Sequence, residues 1–192
     1  MIITKIPRYR WVNGVYEETY TPTVEDFYEK PINFHGQSVS IGVIDMTGSF
    51  DFPAMTDLFL NRADVVLLVY DVGDTASLKT LAYRYEQVKK IRLNREVYVS
   101  VVGTKMDNPT STSRDVSYSN ETVDMIVRDV GPSAKHVLTS ARHNWNVDEA
   151  FEGALSNMSP SIIPNEQTIE RLRELVKKNQ QHIGCRYKCS IV

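Results

Sequence analysis

A doubly wound α/β domain, with a mostly parallel sheet and one antiparallel edge strand, is the fold class this sequence predicts. Three observations lead there. Val65 to Val72 and Val97 to Val102 are nearly continuous aliphatic runs, the composition of parallel strands covered by helices on both faces. Between them, Leu78, Leu81, Tyr85, Val88 and Ile91 recur at steps of three and four, an amphipathic helix over Thr75 to Asn94. Strands alternating with helices in this way build a parallel sheet through crossovers.

The elements follow in chain order. Met1 to Ile6 is strand-like in composition, Pro7 interrupts it, and Asn13-Gly14 reads as a helix end or turn. Val24 to Phe34 is extended, and its Pro31 marks an edge strand or a bulge. His35-Gly36-Gln37 is hairpin-like and leads into Ser38 to Asp45, with Val39, Ile41 and Val43 on one face. These two stretches form the antiparallel pair. After the buried strands, Asn120 to Val130 is helical and stops at Gly131-Pro132. Lys135 to Thr139 is a short strand, and Asn146 leads into a helix over Val147 to Met158. Pro160 and Pro164 break the chain before a last helix within Asn165 to Gln181, and His182 to Val192 reads as a tail.

Bulk properties narrow the function classes. The chain has 192 residues, 42% hydrophobic and 24% charged, the composition of a soluble globular protein. A net charge of -2 argues against a general nucleic-acid binder. The longest apolar run, Val65 to Tyr70, is far short of the ~20 residues a membrane span requires. The start is too short and wrongly flanked for a signal peptide. Cys185 and Cys189, the two cysteines, cannot complete a zinc site of about four ligands. A reducing, cytosolic compartment is the default.

Four short motifs carry chemistry. Tyr20-Thr21-Pro22-Thr23-Val24-Glu25-Asp26 is a loop entering a strand, because Pro22 fixes its own φ and biases Thr21 toward extended backbone. Asp45-Met46-Thr47-Gly48 lies at a strand's C-terminal end, where open α/β sheets bind ligands. A carboxylate there can hold Mg²⁺ through water, and Gly48 can offer an unobstructed N–H to a phosphate. Thr104-Lys105-Met106-Asp107 follows another strand. Its Asp107 can accept both guanine N–H groups in a bidentate pair, and the Lys105 stem can cover the base plane. Thr139-Ser140-Ala141-Arg142 offers small residues that let backbone N–H groups approach the guanine carbonyl. Each motif alone is explained as well by an ordinary turn or a solvated loop.

Taken together, in this order and at this spacing, the motifs over about Arg8 to Met158 resemble the Ras-type small GTPases. Thr104 in place of the usual Asn is the form seen in the Rho branch, and Arg142 stands where Lys is common. Phe52-Pro53-Ala54-Met55, with Ser49 where a Gln is usual, is similar to the dexamethasone-induced (Dexras/Rhes) group. The resemblance implies a P-loop NTPase fold of the small G protein type, truncated at its N-terminus. It divides the chain into an incomplete G domain over 1–160 and a C-terminal helix and lipidation tail over 161–192.

The resemblance also implies roles. GTP or GDP would be held by Thr23, Gly48, Thr104, Lys105, Asp107, Ser140, Ala141 and Arg142, and Mg²⁺ by Thr23 and Asp45. Effectors would meet Tyr20, Val24, Glu25 and Asp26, with exchange factors and GTPase activators as further partners and no nucleic acid. Cys189-Ser190-Ile191-Val192 has a C-a-a-X form. It implies prenylation of Cys189, with Cys185 as a second lipid site, since one lipid binds a membrane only marginally. The location implied is the cytoplasmic face of the plasma membrane. No catalytic residue is assigned: Ser49 is too short to orient an attacking water as the Gln does, so any hydrolysis is expected to be slow.

One feature of the resemblance is absent. The family holds β- and γ-phosphates in a Gly-x-x-x-x-Gly-Lys-Ser/Thr loop whose N–H groups face the anion. None of the nine glycines has that spacing or precedes Lys-Ser or Lys-Thr. Only 22 residues come before Thr23, so recognisable sequence begins within the first helix, whose end is Trp11 to Tyr16. Met1 to Ile6 is available to fill part of the gap left by the first strand, but cannot also supply the loop. Charge-assisted hydrogen bonds contribute ~1.5–3 kcal/mol each, and every ~1.4 kcal/mol is tenfold in affinity. Two readings stay open: a Ras-like GTP-binding signalling switch, and a pseudoGTPase interaction module that does not bind nucleotide.

Overall fold

Period-two alternation in the central strands decides where the helices lie. In the strand Val65–Asp71 (β4), Val65 and Leu67 face one side of the sheet while Val66, Leu68 and Tyr70 face the other. Both sets are buried, so the strand needs cover on two faces. The computed structural model describes residues 2–4, 7–16, 18, 25–34, 36–46, 53–108, 115–156, 158 and 174. Among them the remaining strands are Ile2–Thr4 (β1), Glu25–Phe34 (β2), Gln37–Met46 (β3), Tyr98–Thr104 (β5) and Lys135–Leu138 (β6). The helices are Pro7–Asn13 (α1), Pro53–Leu60 (α2), Thr75–Arg92 (α3), Asp115–Val130 (α4) and Val147–Leu155 (α5).

The six strands lie in the order β2-β3-β1-β4-β5-β6. Only β2 and β3 are antiparallel, joined at a turn where Gly36 takes φ 81°. The expected edge strand is therefore in place, and Pro31 sits in it opposite Ser40, where a missing N–H costs no inner ladder bond. One layer packs Leu78, Leu81, Tyr85 and Val88 of α3, with Val123 and Ile126 of α4 and Phe59 of α2, on the Val66–Val99–Val101 face. The other packs Trp11 of α1 and Val147, Ala150, Phe151 and Leu155 of α5 on the Val43–Val65–Val102 face. Trp11 stacks on Phe151 with ring centroids 4.3 Å apart, and Lys30 of β2 lies 4.4 Å over its other side.

β1 lies between β3 and β4, parallel to both, with Ile3 opposite Ile44 and Val66. Of the stretch expected to fill the inner gap, Ile2–Thr4 does so, over three residue pairs on one side and two on the other; Met1, Lys5 and Ile6 lie outside the described residues. β1 reaches α1 through Lys5 and Ile6 alone.

Other expectations shift by a few residues. α4 begins five residues earlier than Asn120. α2 was not expected as a helix. Asn146 precedes α5 in the left-handed region, φ 53°, without capping it. Its side chain donates instead to the Leu138 carbonyl across the turn. The last predicted helix, Glu174 excepted, lies outside the described residues, as does the tail with Cys185 and Cys189. No helix among the described residues is long and apolar enough to cross a membrane.

Candidate guanine-base pocket

The ends of β5 and β6 bring two of the four motifs together. β6 pairs in parallel with β5, Gly103 opposite Leu138, and the Thr139 N–H and hydroxyl both donate to the Gly103 carbonyl. The Met106 N–H then returns to the Thr139 carbonyl at 3.1 Å. These bonds clamp the Thr104–Asp107 turn against the Thr139–Arg142 turn. A depression of about 280 Å³ opens there, lined by Tyr16, Thr104, Lys105, Asp107, Asn108, Ala141 and Arg142.

Asp107 is held at one wall. The Ser140 hydroxyl donates to its Oδ1 at 2.6 Å and accepts the His143 N–H at 3.2 Å. That hydroxyl, with smaller help from the backbone, His143 and Arg142, holds the Asp107 carboxyl below its usual range. It is therefore an anionic acceptor at neutral pH, suited to a pair of adjacent N–H donors. The imidazole of His143 stands 4.0 Å from Oδ2 and stacks on Trp145.

Lys105 takes a left-handed backbone, φ 60°, a conformation that costs free energy outside glycine and clusters at ligand sites. Its ammonium is anchored 2.7 Å from Asp71 at the end of β4, and Asp71 Oδ1 accepts the Gly73 N–H. With the charge committed there, the four-carbon stem remains as a wall of the depression. Thr104 is 1% exposed, and its hydroxyl finds no hydrogen-bond partner among the described residues. Ala141 is buried. Arg142 reaches out to Glu18 at 3.2 Å, and Arg10 of α1 donates to Asn144, so the segment after α1 is tied to the rim.

Six of the expected ligand residues, Thr104, Lys105, Asp107, Ser140, Ala141 and Arg142, are thus gathered at one place. Asp45 is not among them: it lies buried near the end of β3, in register with Thr4 and Asp26. Glu25 and Asp26 begin the outer strand β2. Tyr20, Thr23, Val24, Gly48 and Ser49 lie outside the described residues. Among the described residues, no group of three or more His, Cys, Asp or Glu is placed to hold a metal. Tyr16, absent from the expected set, supplies an aromatic wall. An aromatic just past a Gly-terminated helix and ahead of the Tyr20–Asp26 loop was the available signal.

The residues present fit the two ends of a guanine nucleotide differently. The base end offers a carboxylate, an alkyl wall, an aromatic wall and a buried hydroxyl. At the phosphate end, the strand that would lead into a glycine cradle leads through Lys5 and Ile6 into α1. That connection contains no glycine, and the helix opens on Pro7, which has no N–H to give. Seven helical residues leave no long helix aimed at an anion. The stretch from β1 to α1 therefore lacks the glycine cradle that holds phosphates in a phosphate-binding loop.

Comparisons with known proteins agree with this architecture. Residues 8–159 match the model of the Ras family. GTP-binding protein Di-Ras2 of Macaca fascicularis is 34% identical over 148 residues, covering 77% of this chain and 71% of that protein. GTP-binding protein Di-Ras1 of Homo sapiens is 32% identical over 164 residues, 80% of this chain and 77% of its own length. GTP-binding protein drn-1 of Caenorhabditis elegans is 31% identical over 150 residues, 77% of this chain and 66% of that protein. The chain belongs to the Ras family.

Proposed function

We propose that this chain is a Ras-type interaction module, a pseudoGTPase that presents a partner-facing edge without cycling between GTP- and GDP-bound states. The observation that carries the reading is the two-residue passage from β1 to α1. A triphosphate and its magnesium are strongly hydrated, and binding them requires several fixed N–H donors to replace that water. Lys5 and Ile6 offer two backbone N–H groups and one ammonium. Among the described residues β2 is the outermost strand of the sheet, the position at which a partner can add a strand. Effector recognition would begin near Glu25 and Asp26 and continue from Tyr20 and Val24.

A second reading is favoured by the assembled base end and by the relatives' names as GTP-binding proteins. In it the chain is a small GTP-binding signalling protein, with Thr23, Gly48 and Asp45 serving phosphate and Mg²⁺. Titration with a fluorescent guanine triphosphate and Mg²⁺ decides between them. The pseudoGTPase reading expects no binding at or below micromolar concentration; micromolar or tighter binding refutes it. Lipid attachment at Cys189 and Cys185, and with it the cytoplasmic face of the plasma membrane, belongs to either reading. An unchanged membrane fraction for Cys189→Ser would count against it.

A further inference from the structure

We propose that this chain pairs with a second copy of itself in a two-fold symmetric dimer, the outward face of α3 in each copy packing on the outward face of α4 in the other. The pairing needs no nucleotide and goes beyond the proposed function. α3 packs on β4, and α4 on β5 and β6, in the half of the sheet away from β2. The β2 edge of each copy is therefore left uncovered.

Helical spacing sets Lys79, Tyr83 and Glu86 in one stripe along α3, and Glu121, Met125 and Arg128 in one stripe along α4. Each stripe advances by four residues and then three, the step that keeps side chains on one helix face. All six residues are exposed. Tyr83 and Met125, each 48% exposed, put apolar surface at the middle of a charged stripe. The charges run in opposite order: cation, aromatic, anion along α3, and anion, thioether, cation along α4. The Arg84 guanidinium lies 5.9 Å from the Tyr83 ring centroid, and Arg128 Nε donates to the Asp124 carbonyl, so both stripes carry partly ordered side chains.

Symmetry then fixes the register. α3 joins β4 to β5 and α4 joins β5 to β6, and these strands are parallel, so the two helices run in the same direction. Tyr85 and Lys89 both donate to Asp129 Oδ2, across 44 and 40 sequence positions. Residues about 42 positions apart on α3 and α4 are therefore level. Lys79 and Glu121, Tyr83 and Met125, and Glu86 and Arg128 are each 42 positions apart. A two-fold axis parallel to the helices sets α3 opposite the partner's α4 without sliding either along its length. It brings Lys79 to the partner's Glu121, Tyr83 to the partner's Met125 and Glu86 to the partner's Arg128, and each contact occurs twice. A thioether packs favourably on an aromatic ring. The flanking ion pairs, exposed at the rim, set the register more than they add affinity.

Sedimentation equilibrium of the full chain in reducing buffer tests this. A monomer–dimer equilibrium is expected within about 10–500 µM, since two facing helix pairs make an interface at the small end of specific contacts. Lys79→Glu and Glu121→Lys should each raise the dissociation constant about tenfold or more, because each turns two attractive pairs into repulsive ones. The double change restores opposite charges across the interface and should return the constant to within about threefold of the unaltered chain. Loosened packing would give no such rescue. A chain that stays monomeric over the whole range overturns the proposal. So does a dimer that either single change leaves unweakened, or that the double change fails to restore, because the contact then lies on another face.

Discussion

Gly103 links the sheet to the pocket, and replacing it with alanine perturbs both. A Cβ built there would lie 2.6 Å from Leu138 Cδ2, 2.9 Å from the Tyr70 hydroxyl and 3.0 Å from Tyr70 Cζ. Leu138 is exposed at the surface, so its tip can swing aside at little cost. Tyr70 cannot: it is buried among β4 and α3 side chains, and its hydroxyl is 3.0 Å from His136 Nε2. Relief requires either an off-rotamer Tyr70 or a shift of β5 away from β6, and the second would strain the Thr139 bonds to the Gly103 carbonyl. Overpacking of this kind costs ~1–3 kcal/mol. Because the obstructing group is hydrogen-bonded and buried, Gly103→Ala should fall in the upper half, about 2–3 kcal/mol. Urea unfolding followed by far-UV circular dichroism would register this as a midpoint lower by roughly 1–1.5 M. The Asp107 and Ala141 amide signals should move as well. A loss below about 0.5 kcal/mol, with both signals unmoved, would refute the reasoning, since it is no larger than a neutral surface change.

Three other outcomes follow from the same contacts. Trp11→Ala removes the ring that stacks on Phe151 and should cost about 3–5 kcal/mol in thermal or urea unfolding; Trp11→Phe should recover most of it. Burial lowers the His136 pKa from 6.5, with Asp124 opposing weakly, while burial and Asp124 push the Tyr70 hydroxyl up to about 12. For His136 the unfolded chain therefore binds the proton more readily, so its contribution is full above about 6.5 and declines as pH falls below it, whereas the Tyr70 contribution is lost as pH rises from 10 toward about 12. His136→Gln should flatten the lower part of the profile of melting temperature against pH. Ser140→Ala deletes the main cause of the depressed Asp107 pKa. Its carboxyl should titrate closer to the ordinary carboxylate range by NMR.

Much of the fold was legible because its signals are local. The aliphatic runs of β4 and β5, the three-and-four spacing of α3 and the Pro31 edge strand each depend on neighbours within a few residues. α2 escaped notice for an equally physical reason. Phe52-Pro53-Ala54-Met55 was read as a mark of kinship, although Pro53 is suited to a first helical position, and eight residues are too few to show periodicity. At the pocket, Asp107 and Ser140 were both expected, but the bond between them spans 33 positions and depends on the parallel β5–β6 register. Tyr16 was missed because its one local signal, an aromatic just past the Gly14 helix end, says nothing of the pocket it lines; the fold brings it there with Lys105. His143 was missed because nothing near it in sequence marks it.

The proposed loss of nucleotide cycling depends on β1 lying in the central slot of the sheet, two residues ahead of α1. Nuclear Overhauser contacts and amide exchange of Ile3 in the intact chain test this most directly. Contacts are expected from Ile3 to Ile44 on one side and Val66 on the other, with an amide protected from exchange. A freely exchanging Ile3 amide, with no contact to either strand, would contradict it.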